Sequence, residues 1–465
     1  MDARAMETDA KLSLFEEMPV PRAVFKLAVP TVLSSLVMVL YSLADTYFVG
    51  ALGDPVQNAA VTLAAPVLLA FNAVNNLFGV GTSSMMSRGL GRKDYRTVRE
   101  SSVLGFSCAL FCGVVFSMLC AVFQGPLLRL LGAGAATEQA TADYLFWTVL
   151  CGATPAILNV VLAYMVRSEG AALHASIGTM SGCLLNIVLD PIFILPWGLN
   201  MGVAGAGLAT FLSNCAACVY FFVLLYRRRG DTFVCVNPRM LRFRRGIVLG
   251  ICAVGVPASI QNLLNVTGMT ILNNLTSAYG ADAVAAMGIA QKINMVPMQI
   301  AMGFSQGIMP LVSYTYAARL HRRMKDSILF AAKVLLPFLV AIAAFYYVGA
   351  DGLTRLFMKN EAIVAYGSRF LRGYCIGLPF LCMDFLAVGV FQAQGKGKYA
   401  FAFAILRKIV LEIPALIVLG RLFPLYGLSY AQPVSELILS LVALLMLRRI
   451  FAQCSDDLQA NRTAP

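Results

Sequence analysis

An amide, a carboxylate and a proline stand together inside an apolar run, Leu185-Asn186-Ile187-Val188-Leu189-Asp190-Pro191-Ile192-Phe193. Asn186 and Asp190 are four residues apart, so a helix sets them on one face. Pro191 has no N–H, and the carbonyl of Ile187 thereby loses its helical partner. A carboxylate, an amide oxygen and a free carbonyl within one turn suit a hard cation such as Na⁺, and the carboxylate alone can carry a proton. Ionisable side chains at bilayer depth are costly and by default mark ion or proton pathways. Asp45 is a second such residue, with Tyr41 four positions before it on the same helical face. A phenol hydrogen bond steadies the charged carboxylate, whereas burial favours the protonated form. The alternative for Asp45 is a structural cap or pair near the end of its helix.

Other polar residues sit deep in apolar stretches. They are the acids Asp384 and Glu412, the bases Lys292, Arg407 and Lys408, and the amides Gln261, Asn262, Asn265, Asn273 and Asn274. Glu412 lies about a turn from Arg407 and Lys408, which points to a structural ion pair. Asp384 and Lys292 either line a cavity or pair with each other. The amides serve as interhelical hydrogen bonds or as substrate contacts. An acid in the first helix is matched by one in the fifth, whereas the stretch around Ile271-Leu272-Asn273 has none. Cation coupling is therefore expected in the N-terminal half.

The elements that carry these residues are membrane helices. The chain is 59% hydrophobic and 13% charged with a mean hydropathy of +0.77, which places it with polytopic helical membrane proteins. Apolar stretches long enough to span lie near 25–49, 58–86, 101–123, 143–166, 175–197, 203–226, 247–279, 284–312, 329–349, 367–392, 400–420 and 427–447. Residues 1–20, with Asp2, Glu7, Asp9, Glu16 and Glu17, lack the apolar core of a cleavable signal and read as a cytosolic tail. Basic clusters follow the even-numbered stretches: Arg88 to Arg99, Arg227 to Arg245, Arg319 to Lys325, Lys396 with Lys398, and Arg448 with Arg449. The alternate loops hold only Arg129, Arg355, Lys359 and Arg421. This alternation puts both termini in the cytosol of a multi-pass plasma-membrane protein.

The chain also repeats. Ser87-Arg88-Gly89-Leu90-Gly91-Arg92-Lys93 corresponds to Ser313-Tyr314-Thr315-Tyr316-Ala317-Ala318-Arg319, and Gly81 to Gly307 at the same spacing of 226 (307 − 81). Ile187-Val188-Leu189-Asp190 corresponds to Ile409-Val410-Leu411-Glu412 at 222 (409 − 187). The expectation is an all-α membrane protein of twelve transmembrane helices in two pseudo-symmetric six-helix lobes. Their boundaries fall at 1–226 and 246–465, with a basic cytosolic linker at 227–245. Parallel repeats of this kind mark secondary transporters.

The net charge of +13 does not indicate nucleic acid, because the basic residues sit in short loops between apolar segments. The twelve cysteines are scattered, and Cys215-Ala-Ala-Cys218 has no second pair or histidine beside it, so free thiols packed as small hydrophobes are expected. His174 and His321 stand near basic loops without the company a metal or catalytic site needs.

Five motifs, in order, resemble the multidrug and toxic compound extrusion (MATE) antiporters across nearly the whole chain. They are Ala44-Asp45-Thr46-Tyr47-Phe48-Val49-Gly50 with Leu52-Gly53, Ser87-Arg88-Gly89-Leu90-Gly91, and Leu189-Asp190-Pro191-Ile192-Phe193. Gly202-Val203-Ala204-Gly205-Ala206-Gly207-Leu208-Ala209-Thr210 and Gln306-Gly307-Ile308-Met309-Pro310-Leu311-Val312-Ser313-Tyr314 complete the set. The resemblance implies a V-shaped pair of lobes that exports amphiphilic, often cationic compounds against inflowing Na⁺ or H⁺. It implies a cation site at Asp45, Asn186, Asp190 and Thr210, with Tyr41 one turn before Asp45 and Pro30 as the bending residue of the first helix. One branch of that family has an acid in helix 7, eight residues past a proline; counted from Pro257, this chain has Asn265 there. Asp384 lies near, but out of register with, that branch's helix 10 acid.

The expected function is therefore a cation-coupled antiporter working by alternating access, probed by small amphiphiles. It needs no cofactor beyond the coupling ion, binds no nucleic acid and works as a monomer. Gln261, Asn262, Asn265, Lys292, Asp384 and Glu412 are candidates for lining its cavity. The rival is a lipid-linked oligosaccharide flippase on the same plan, whose cavity needs cations for pyrophosphate. Here Lys292, Arg407 and Lys408 are the candidates. A membrane enzyme would need a nucleophile or metal motif that the sequence lacks.

Overall fold

The computed structural model describes residues 12–357 and 360–463, so the acidic tail at Asp2, Glu7 and Asp9 and the loop residue Lys359 lie outside the described residues. With no water at bilayer depth, a spanning segment must satisfy its own backbone groups, and the described residues are accordingly helical without strands. Beside short helices at 12–16, Gln124–Leu130 and Pro238–Met240, twelve long helical runs follow one another among the described residues. These are α1 (Val20–Ala51), α2 (Pro55–Gly91), α3 (Tyr95–Val122), α4 (Glu138–Cys151 with Ala153–Ser168), α5 (Ala172–Ile194) and α6 (Val203–Arg227). Then come α7 (Arg245–Ser277), α8 (Ala281–Ala317), α9 (His321–Phe357), α10 (Glu361–Cys375 with Leu378–Ala393), α11 (397–422) and α12 (Gly427–Thr463).

Eight of these are long and apolar enough to cross a membrane as single helices, and the bent pairs α4 and α10 raise that to ten. The α4 pair meets at 48° around Gly152, where an added Cβ would lie 2.5 Å from the carbonyl oxygens of Trp147 and Thr148. The α10 pair meets at 50° next to Gly377, which abuts Pro433. Apolarity alone does not single out α11, because Arg407, Lys408 and Glu412 occupy its middle. π-Helical segments interrupt α2 at Asn76–Val80, α4 at Phe146–Cys151 and α11 at Leu406–Glu412. Asp54, Asp94 and Asn360 cap the first turns of α2, α3 and α10 through Val56, Thr97 and Ala362 N–H groups.

Packing groups the described chain into two compact units. The first holds residues up to 17 and 33–259; the second holds 18–32 and from 260 onward. Thus α1 changes unit just beyond Pro30, and α7 does so just beyond Pro257. The repeat-related glycines show why the exchanged pieces fit. In the first unit, a Cβ on Gly81 of α2 would lie 2.5 Å from the Ile251 carbonyl oxygen at the start of α7. In the second, a Cβ on Gly307 of α8 would lie 2.7 Å from Ala28 Cα and 2.9 Å from Leu27 O near the start of α1. Ile247 and Ile251 join Leu104 of α3 in a buried apolar cluster.

The basic linker is tied to the first unit. Glu100, buried on α3, accepts from Arg96 at 2.9 Å and from Arg244 at 3.2 Å. Ser102 Oγ donates to the Cys235 carbonyl at 2.9 Å, and Glu169 accepts the Phe233 N–H at 2.8 Å.

Candidate functional site

Glycines set the frame of the polar centre in the first unit. Gly202, at φ +57° before α6, leaves no room for a Cβ, which would lie 2.8 Å from Gln57 Oε1. That same Oε1 accepts the Val203 N–H at 2.9 Å and so caps α6 from α2. One turn on, a Cβ on Gly205 would meet the Phe193 carbonyl oxygen at 2.5 Å, and one on Gly207 would meet Trp147 Cβ at 3.0 Å and Tyr144 O at 3.2 Å. The start of α6 is therefore pressed onto both α5 and α4. Gly182 of α5 repeats the close approach further along the pair, where an added Cβ would lie 3.2 Å from Ser213 O. Thr210 is thereby held opposite Asn186.

Asn186 and Asp190 share the face that their spacing requires, and both are buried, Asp190 completely. The Asn186 amide has one orientation that satisfies all its neighbours. Its nitrogen donates to Asp190 Oδ2 at 2.8 Å and Oδ1 at 3.2 Å, and its oxygen accepts from Thr210 N–H at 3.1 Å and Thr210 Oγ1 at 3.2 Å. Tyr41 reaches the Thr210 hydroxyl and lies within the electrostatic range of Asp45 and Asp190. Asp45, half-buried on α1, in turn acts on Asp190. The structure thus gathers Tyr41, Asp45, Asn186, Asp190 and Thr210 from α1, α5 and α6. Among the described residues, no lysine, arginine or histidine acts on either carboxylate.

Tyr144 of α4 completes this group and was missing from the sequence reading. It is 5% exposed and faces Asp45, Tyr41 and Asp190. The π segment that begins two residues later and the close approach at Gly207 bring it there. The sequence offered only a tyrosine beside an aromatic pair, with no spacing to tie it to α1 or α5.

The residues read as a possible cavity lining fall into the second unit and do not form one constellation. Lys292 is exposed and is not paired with Asp384. Asp384 instead faces Glu436 of α12 and Arg407 of α11. Glu412 pairs with Lys408 at 2.6 Å, whereas Arg407 takes Glu436, so the two bases near Glu412 are divided between two acids. Gly268 of α7 leaves room for the Lys408–Glu412 pair, with a Cβ position 3.3 Å from Glu412 Oε1. Gln261, Asn262 and Asn265 are partly buried on α7, and Asn265 Oδ1 is enclosed without a donor among the described residues. Glu436 was overlooked in the sequence, although an acid nine residues into an apolar run was signal enough.

Known proteins resemble this chain in sequence and fold. The MatE family model matches residues 30–192 and again 257–418, so its two copies follow the spacing of the internal repeat. Multidrug export protein MepA of Staphylococcus aureus (strain MRSA252) is 31% identical over 442 residues, covering 94% of this chain and 96% of its own length. A solved structure described as the outward-facing conformation of a multidrug resistance MATE family transporter of the MOP superfamily matches with a TM-score of 0.90. It is 26% identical, over 96% of this chain and 99% of that one. A structure of MATE in the bent conformation matches with a TM-score of 0.87 at 26% identity, over 96% and 98% of the two chains. With two copies of the family's sequence pattern, a full-length relative and the same fold, the chain belongs to the MatE family of membrane transporters.

Proposed function

We propose that this protein exports amphiphilic, often cationic compounds across the cytoplasmic membrane in exchange for Na⁺ or H⁺. One observation carries the coupling: two carboxylates, Asp45 and Asp190, lie in one polar centre with no basic side chain acting on either among the described residues. Such negative charge is costly away from water unless a mobile cation or a proton neutralises it. Asp45, Asp190, the Asn186 amide and the Thr210 hydroxyl supply the oxygen-rich donor set that a hard cation takes, with Tyr41 and Tyr144 as further hydroxyls. Ion binding then draws α1, α5 and α6 together, and ion release lets them part.

Transport requires ion and solute to prefer different states, since equal affinity for both shifts nothing. The two six-helix repeats, 1–226 and 246–465 joined by 227–245, supply the moving bodies, each carrying the exchanged start of the other's first helix. Pro30 is the bending point of α1, supported by its place inside the helix next to the change of unit. One monovalent cation entering down the membrane potential provides about 2.3 kcal/mol per 100 mV. The export of drugs by the full-length relative supports the solute class. The alternation of basic loops supports cytosolic termini.

The flippase reading loses its cations. Arg407 and Lys408 are each neutralised by a carboxylate, which leaves Lys292 alone for a pyrophosphate. The test is ethidium efflux from vesicles holding the purified protein, with Na⁺ and pH gradients imposed separately. Efflux driven by one or both gradients is expected. Gradient-independent movement, or flipping of labelled lipid without efflux, refutes the proposal.

A further inference from the structure

The second unit buries an ionic cluster that the reading above does not use. Asp384 on α10 is 1% exposed, Arg407 on the π segment of α11 is 3% and Glu436 on α12 is 0%. Arg407 Nη2 donates to Glu436 Oε1 in a close ion pair, and its guanidinium lies 5.4 Å from the centre of the Phe385 ring. The Asp384 carboxyl is within hydrogen-bond reach of the Glu436 carboxyl. Yet neither oxygen of Asp384, nor Glu436 Oε2, receives a donor from any described group.

Two ionised carboxylates can only accept, so a contact between them is repulsive. One proton turns one of the four oxygens into a donor and makes the contact a hydrogen bond. Charge counting leads to the same place. Fully ionised, the three groups carry a net charge of −1 in a buried site; with one proton they carry none. The remaining charged neighbours do not alter this balance. Lys408 acts on Glu436 but is held by Glu412 at 2.6 Å, and Glu412 acts on Arg407. Cys382 is the other titratable group that responds to Asp384.

We propose that Asp384 and Glu436 hold one exchangeable proton between them, which makes the second unit a proton-binding site separate in residues from the Asp45–Asp190 centre. The exchange is simple: the carboxyl of one residue, bonded to the carboxylate of the other, loses H⁺ to water and leaves the cluster with one net negative charge. No oxidation or group transfer takes part. The same proton explains why a base, an acid and a second acid are buried together in three consecutive helices.

The test is infrared spectroscopy of the full chain in lipid nanodiscs, following the C=O stretch of protonated carboxyl groups in H₂O and after exchange into D₂O. Wild type is expected to show a band that shifts on exchange and persists in Asp45→Asn with Asp190→Asn. Glu436→Gln and Asp384→Asn are each expected to abolish it, although each keeps one carboxyl, because the remaining acid then ionises against Arg407. Loss in one variant alone assigns a fixed acid and overturns the sharing. A band unchanged in both overturns the site, and so does a band that disappears when Na⁺ is added, since a metal cation is then the natural occupant. The measurement on wild type needs no variant to fold.

Discussion

Replacing Asp190 with asparagine removes one charge and almost no volume. In the structure Asp190 is fully buried and receives the Asn186 amide at 2.8 Å and 3.2 Å. The substituted amide can still accept one of these bonds, so the stability change is expected near 1 kcal/mol, the net worth of one hydrogen bond. The effect on a bound cation is much larger. A unit charge about 4 Å away at an effective dielectric of about 20 contributes about 4 kcal/mol. At about 1.4 kcal/mol per decade, that is roughly a 10³-fold loss of cation affinity. Asp45→Asn should act in the same way, and the double variant should be little worse than either, since the carboxylates serve one ion. Efflux of ethidium under an imposed Na⁺ or pH gradient should fall to background in each, with membrane insertion and melting temperature close to wild type. Gradient-driven efflux at the wild-type rate in both variants would refute the site and the coupling argument with it.

Tyr144→Phe should weaken the coupling cation about fivefold, the equivalent of one lost hydrogen bond of about 1 kcal/mol, seen as a shifted ion dependence of efflux at an unchanged maximal rate. An unshifted curve removes Tyr144 from the centre. Gly81→Ala and Gly307→Ala each press a methyl onto backbone atoms of α7 or α1 and should cost about 1–3 kcal/mol, read as a lower melting temperature. Gly50→Ala, where the added methyl meets nothing within 4 Å, should not. Asp94 lies outside the spans, and hydrogen bonds from the Thr97 hydroxyl and N–H hold its carboxyl below the ordinary carboxylate range. Its folded value is the lower one, so its stabilisation is present above the ordinary range and is lost as pH falls through the lowered value. Asp94→Ala should cost about 1 kcal/mol at neutral pH, and Asp94→Asn should keep the cap without that pH dependence.

The sequence made visible whatever depends on short-range spacing. Four residues between Asn186 and Asp190, and between Tyr41 and Asp45, fix a shared helical face before any tertiary packing is known. The repeat did the same for helix order. What packing decides was hidden. Tyr144 joins the centre through a π segment and a glycine contact with α6, neither of which has a periodic signature. The division of Arg407 and Lys408 between Glu436 and Glu412 also follows from local winding, because a π segment carries both bases and shifts their directions. Glu436 differs: it was legible and was missed. For Lys292 and Asp384 spacing left two choices open, cavity lining or mutual pairing, and only packing shows that Asp384 turns to Glu436 and Arg407 instead of Lys292.

The exchanged starts of α1 and α7 have a consequence for how the protein is made. The slot beside Gly81 is filled by residues around Ile251, which are synthesised only after all six helices of the first repeat. The residues around Leu27, made first, wait for Gly307 on the eighth helix. Neither unit can reach its final packing while the nascent chain ends at the basic linker. Maturation in the membrane is thus obliged to be a late, joint event, and a ribosome stalled after α6 would hold an opened half rather than a finished one.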